Sequence, residues 1–171
     1  DYRQVNPGFG EWDDVTRLGD NFRLMFDAVI NHISSESVEF QGFLKGDPNF
    51  EEFFTVVEQS TDLSRVFRPR ATPVASPFET AEGEKWVWTT FSTDQIDLNY
   101  RNPDVLVEVI DILLFYAAKG ADFIRLDAVT YIWKEIGTDC INMPHPPRIV
   151  QLMRTVLDIA APRVAIITET N

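Results

Sequence analysis

The chain has 171 residues, 44% hydrophobic and 12% aromatic, enough for one sizeable core and outside the disordered and low-complexity classes. Twenty-seven acidic against 15 basic side chains leave a net charge of −12, which argues against a polyanionic partner, so no nucleic acid is expected. A single cysteine excludes an internal disulfide framework. No apolar run reaches the length of a membrane span and the N-terminus lacks signal-peptide form, so no membrane partner and a cytoplasmic setting are expected.

Residues 11–18 read as a short helix with Val15 and Leu18 inward and Gly19 ending it. Residues 22–30, apolar except at Arg23 and Asp27, read as a strand that runs out in Asn31 and His32. Across residues 33–98 short aromatic-rich pieces alternate with turn signals. That span is too long for a structureless loop, so it reads as a small inserted subdomain with β character. Within it, residues 47–58 predict a helix, with Pro48 in the first turn and Phe50, Phe53, Phe54 and Val57 on one stripe, more simply core than sugar platform. Residues 85–91 predict a strand.

Asn102, Pro103 and Asp104 open a helix whose stripe is Val105, Leu106, Val109, Ile110, Leu113, Leu114 and Ala117; Lys119 and Gly120 close it. Residues 120–129 then read as a short buried strand carrying Arg125 and Asp127 at its far end. After a proline-rich connection, in which His145 reads as an exposed loop residue, a helix is expected from about 147 to 160. Its inward residues are Ile149, Leu152, Met153, Val156 and Leu157. Residues 164–168 form a third strand ending in Glu169.

This alternation implies an α/β fold with a parallel sheet. Each strand ends in polar groups, and such ends share one mouth in barrel enzymes. Arg125 and Asp127 are two apart, so they leave one face, and a guanidinium beside a carboxylate keeps it ionised. Asp127 and Glu169 then make a carboxyl pair suited to glycosidic bonds. Asp127 is expected ionised for attack, and Glu169 is expected in a drier site that holds its proton. No glycine-rich dinucleotide turn or phosphate loop follows any strand, and His and Cys are sparse, so no cofactor and no metal are expected.

These residues resemble motifs of the α-amylase family, glycoside hydrolase family 13. The carrying segments are Asp27 to His32, Gln95 to Asn99, Gly120 to Asp127, and Ile167-Thr168-Glu169. The resemblance implies part of a (β/α)8 TIM barrel, about strands 3 to 5. Residues 1–32 and 99–171 would belong to the barrel and 33–98 to a domain inserted after strand 3. It implies Asp127 as nucleophile and Glu169 as acid/base. Arg125 would orient Asp127, His32 would bond the bound glucosyl unit, and Asp27 and Asn31 would support them.

Finer resemblance, in residues 67–70, 86–91 and 133–140, is to sucrose-phosphorylase-like enzymes, including glucosylglycerate phosphorylases. That implies a small α-glucoside such as sucrose or glucosylglycerate as partner, and inorganic phosphate as co-substrate. The family's third acid lies on a later strand. The chain is therefore expected to be a segment that needs the remainder of the same barrel and is inactive alone. The alternatives are an α-glucosidase or transglycosidase of the same family, a non-catalytic binding module derived from the barrel, and an unrelated α/β binding domain.

Overall fold

The computed structural model describes residues 2–170. In chain order the elements are α1 (Trp12–Gly19), β1 (Met25–Val29), β2 (His32–Ser34), α2 (Val38–Leu44), β3 (Val56–Val57), β4 (Ala75–Thr80) and β5 (Gly83–Trp88). There follow β6 (Gln95–Asp97), α3 (Pro103–Ala118), β7 (Phe123–Asp127), α4 (His145–Ala160) and β8 (Ala165–Thr168). The strands form three sheets. β1, β7 and β8 make a parallel sheet with β7 in the middle; β2 pairs β6, and β3 and β4 flank β5 in an antiparallel sheet.

The parallel sheet has one apolar and one polar face. Ala28, Ile124 and Leu126 are fully buried against α3 and α4, while Asp27, Arg125 and Asp127 stand on the opposite face. Within this chain the Phe123–Asp127 strand alternates strictly, with Ile124 and Leu126 buried and Arg125 and Asp127 turned to the other face. Two-residue periodicity makes this unavoidable: a strand that buries Ile124 and Leu126 must turn Arg125 and Asp127 the other way.

Helix α3 starts where the capping signal lies. The Asn102 side chain accepts from the Asp104 N–H, and Pro103 fills the first turn. It ends at Gly120, whose φ of +92° is open to glycine and strained for other residues. Its buried residues are Val105, Val109, Ile112, Leu113 and Tyr116, so the true stripe is rotated toward Ile112 and Tyr116, with Leu106, Ile110 and Leu114 only flanking it. Each such buried aliphatic contributes about 1.5–3 kcal/mol.

Helix α4 begins earlier than expected, at His145. Pro144 precedes it and Pro146 lies in its first turn, where no N–H partner is lost. His145 is not a free loop residue: its ring stacks on Trp133 at 3.9 Å and 10°. Leu152 faces outward, and Ile149, Met153 and Leu157 carry the packing. In α1, Leu18 also points outward; Trp12 anchors the helix instead, against Phe26 and Phe115.

Residues 47–58 do not form a helix. The helix of this region is α2, capped by Ser37, and residues 48–50 make one 3-10 turn. Gly46, with φ +78°, breaks the chain direction between them. Phe53 and Phe54 are nonetheless buried, with Phe54 edge-on to Phe40 and Phe43. One continuous apolar cluster runs from these rings through Ile30, Val105 and Ile124 to Met153. Pairing of His32 with Asp97 closes the base of the 33–98 excursion, so the chain re-enters the core beside the point where it left.

Candidate active site

The register of the parallel sheet assembles the charged groups. Asp27 pairs Arg125 across β1 and β7, and Val29 pairs Asp127. Leu126 pairs Thr168, and the Glu169 N–H continues the ladder by donating to the Leu126 carbonyl at 3.0 Å. Glu169 therefore falls beside Asp127, on the same face as Arg125. The guanidinium of Arg125 bridges all three acids. Its Nη1 lies 2.6 Å from Asp27, and its Nη2 lies 3.2 Å from Asp127 Oδ1 and 2.8 Å from Glu169 Oε2. Because both carboxyl oxygens touch one nitrogen, their separation cannot exceed those two distances laid end to end. These two oxygens therefore lie close enough to face one substrate bond, as a retaining pair at roughly 5 Å does.

The protonation order differs from the sequence expectation. Burial pushes the Asp127 carboxyl up to about 6, helped by its hydrogen bond to Glu169 and that group's charge, with Arg125 opposing. Glu169 is held below its ordinary value, chiefly by the hydrogen bond from Asp127 and further by Arg125. Below about pH 6 the proton of the pair thus rests on Asp127, and Glu169 is the anion. The cause is depth: the Asp127 side chain is 24% exposed and that of Glu169 is 36%.

Asn31 lies between β1 and β2, and His32 opens β2. Two tyrosines, absent from the sequence-based site, clamp the carbonyls of this segment. The Tyr2 hydroxyl donates to Val29 O at 2.6 Å and lies 3.1 Å from His32 O, and Tyr100 donates to Ile30 O at 2.7 Å. The imidazole is buried, with Nδ1 3.2 Å from Asn31 Nδ2 and Nε2 2.8 Å from the Gln95 side-chain amide. Burial lowers its basicity, Lys134 adds to this and Asp97 opposes it.

Behind His32 sits a second feature the sequence reading missed, a buried Lys134–Asp97 pair. The ammonium lies 2.9 Å from Asp97 Oδ2 and 2.8 Å from Asn31 Oδ1. Asp97 also receives the Thr90 N–H at 2.8 Å, the Thr90 hydroxyl at 2.6 Å and Asn31 Nδ2 at 3.0 Å. Both side chains are almost wholly buried, and the network satisfies them. Lys134 lies within residues 133–140, quoted above only for resemblance. A lysine in an aromatic-flanked segment gives no sequence signal of burial.

A pocket of about 310 Å³ is lined by His32, Pro69, Arg70, Phe91, Gln95, Asp127, Ala128, Tyr131 and Glu169. All the expected site residues except Asp27, Asn31 and Arg125 reach it directly. Those three stand behind it, Asp27 and Arg125 through the ion pairs above and Asn31 through its contact with His32. Arg70 also lies over the Phe91 ring, 5.6 Å from its centre. Among the described residues no group of three or more His, Cys, Asp or Glu side chains is placed to hold a metal ion.

The sequence matches the Alpha-amylase family, described as the α-amylase catalytic domain, over residues 1–171. A glucosylglycerate phosphorylase of Spirochaeta thermophila is 57% identical over 171 residues, covering 100% of this chain and 29% of that protein. One from Allomeiothermus silvanus is 56% identical over 171 residues, covering 100% and 31%. The chain thus spans about a third of the length of these curated relatives. The crystal structure of sucrose 6F-phosphate phosphorylase from Thermoanaerobacter thermosaccharolyticum matches with a TM-score of 0.88 at 28% identity, over 99% of this chain and 37% of that one. A parallel strand–helix run with two acids on one arginine, matched along its whole length by that catalytic domain, is part of a TIM barrel, and the chain belongs to the α-amylase family.

Proposed function

We propose that the polypeptide carrying this chain is a retaining α-glucosyl phosphorylase acting in the cytoplasm on a small glucoside of the glucosylglycerate or sucrose kind. The observation that carries this reading is the contact of Asp127 and Glu169 with the same Arg125 nitrogen. Residues 33–98 would be the inserted domain, and the remainder of the barrel would complete the site.

In the first step an Asp127 oxygen bonds to the anomeric carbon, the bond from that carbon to the aglycone oxygen breaks, and Glu169 gives that oxygen a proton. In the second step a phosphate oxygen attacks the same carbon, the bond to Asp127 breaks, and Glu169 takes the acceptor proton. Two inversions give α-glucose 1-phosphate with retained configuration. Arg70, on the pocket wall, supplies a cation that suits a phosphate acceptor. The catalytic order requires the proton on Glu169, so substrate entry must separate the two acids and move the shared proton across. A glycosidic oxygen seated against Glu169 does this by replacing Asp127 as its hydrogen-bond partner.

Incubating the intact polypeptide with glucosylglycerate or sucrose, with and without phosphate, tests the reading. Phosphate-dependent release of glucose 1-phosphate is expected. Free glucose at equal rates with and without phosphate would mean a hydrolase instead.

A pH dependence follows from Asp127. The reaction needs one proton on the pair, and the free site loses it from Asp127 as pH rises through about 6, so kcat/KM should fall above about 6. The stability effect runs in the same sense. A carboxyl whose folded pKa is raised binds more protons folded than unfolded. Its contribution is fully present below the unfolded value of about 3.9 and lost as pH rises through about 6. Urea unfolding across that range should show this slope, and Asp127→Asn should flatten it.

A further inference from the structure

The buried network behind the site fixes more than its own charges. Lys134 as an ammonium can only donate, and Asp97 as a carboxylate can only accept. Asn31 lies between them, with one side-chain atom 2.8 Å from Lys134 Nζ and the other 3.0 Å from Asp97 Oδ2. Those two partners leave one choice for its amide: oxygen toward Lys134, nitrogen toward Asp97. The second hydrogen of that same nitrogen then faces His32 Nδ1 at 3.2 Å. A nitrogen that meets a donor must accept, so Nδ1 carries no hydrogen. The ring proton is left to Nε2, which points to Gln95 on the pocket wall.

We propose that Lys134 and Asn31 are positioning residues that hold His32 in its neutral Nε2–H form, so that it offers the pocket a donor and never an acceptor. The atom 2.8 Å from Nε2 is the Gln95 side-chain nitrogen, and the Gln95 oxygen accepts from the Ser92 hydroxyl at 3.0 Å, so a protonated Nε2 requires the amide to be turned over, its oxygen to Nε2 and its NH2 to the Ser92 oxygen. A sugar hydroxyl that meets His32 does so as acceptor, and its own hydrogen remains free for a second partner. Burial of the ring, 6% exposed and flanked by Phe91 at 5.3 Å, agrees with an uncharged imidazole. The use of this donor by a glucosyl hydroxyl rests on the phosphorylase reading; the position of the proton does not.

The test is selective 15N-histidine labelling of the intact polypeptide, with the His32 signals identified by their loss in His32→Gln. A protonated-type shift at Nε2 and an unprotonated-type shift at Nδ1 are expected. A proton on Nδ1, or on both nitrogens, would overturn the proposal. Asn31→Asp keeps the partner of Lys134 but places an acceptor beside Nδ1, so the proton should move there and kcat/KM for the glucoside should fall about 10-fold or more. Retention of the Nε2 proton in that variant would show that Asn31 does not select it. Gln95→Leu leaves the selector intact and should keep the proton on Nε2, which decides the matter even if Asn31→Asp fails to fold. Should phosphorolysis be absent from every variant while the proton stays on Nε2, the functional reading fails and this one stands.

Discussion

Asp127→Ala in the intact polypeptide is expected to lower turnover of α-glucosides by on the order of 10⁴-fold or more, with added azide restoring a product of inverted configuration. The substitution removes the oxygen that bonds the anomeric carbon and opens space beside it. Azide enters there, the aglycone bond breaks, Glu169 protonates the leaving oxygen, and a β-glucosyl azide results. Glu169→Gln should behave differently. With Asp127 still present the glucosyl intermediate forms, slowed by about 10²–10⁴-fold for poor leaving groups and much less for good ones. Azide then attacks the intermediate from the opposite face and gives the α-azide. Proton NMR of the anomeric position distinguishes the products. The same anomer from both variants would mean that the two roles are not divided as proposed. The prediction rests on the shared contact with Arg125, which sets the two acids close enough to serve one carbon.

Lys134→Met should cost about 3–5 kcal/mol, the usual loss when one partner of a buried ion pair is removed. The Asp97 carboxylate is 0% exposed, and its largest compensation is the ammonium 2.9 Å away. Burial pulls the lysine below its ordinary basicity, and the Asp97 charge and hydrogen bond work against that. The loss should be partly repaired by Lys134→Met with Asp97→Asn. The second change removes the stranded charge and keeps one oxygen that can still accept the Thr90 N–H. Equilibrium unfolding in urea checks both. A single variant within about 1 kcal/mol of the parent would mean that the pair is not a structural anchor. Loss of stability and loss of the His32 proton arrangement should appear together in Lys134→Met, since one ammonium serves both.

The parallel sheet and its helices were legible because each carries a long periodic signal bounded by strong stops. Asn102-Pro103 and Gly120 delimit α3 on chemistry that acts within one turn. The pairing of Asp127 with Glu169 was legible because alternation and parallel order together place strand-end residues side by side. The inserted region was harder. Phe50, Phe53 and Phe54 fit a helical stripe, yet Gly46 and the packing of Phe54 on Phe40 and Phe43 settle them as turn and core. The side of the site formed by Lys134, Thr90 and the two clamping tyrosines was invisible for a different reason. Lys134 meets Asp97 across 37 positions and Tyr2 meets His32 across 30, and no local pattern encodes such meetings. The protonation order of the two acids was misjudged because it depends on relative depth, which appears only once the sheet is built.

Ala128 follows Asp127 directly and adopts a left-handed backbone, φ 53° and ψ 30°, before the short turn at residues 129–131. For an L-residue other than glycine, asparagine or aspartate this conformation carries a penalty of roughly 1–2 kcal/mol. Ala128 also lines the pocket, so a saturation library at codon 128 would read backbone tolerance and pocket shape together. Glycine and asparagine should survive selection, while valine, isoleucine and threonine should vanish whatever sugar is supplied. An evolutionary record of this locus would look like conservation of a pocket contact, although part of what it preserves is the bend that aims the neighbouring carboxyl.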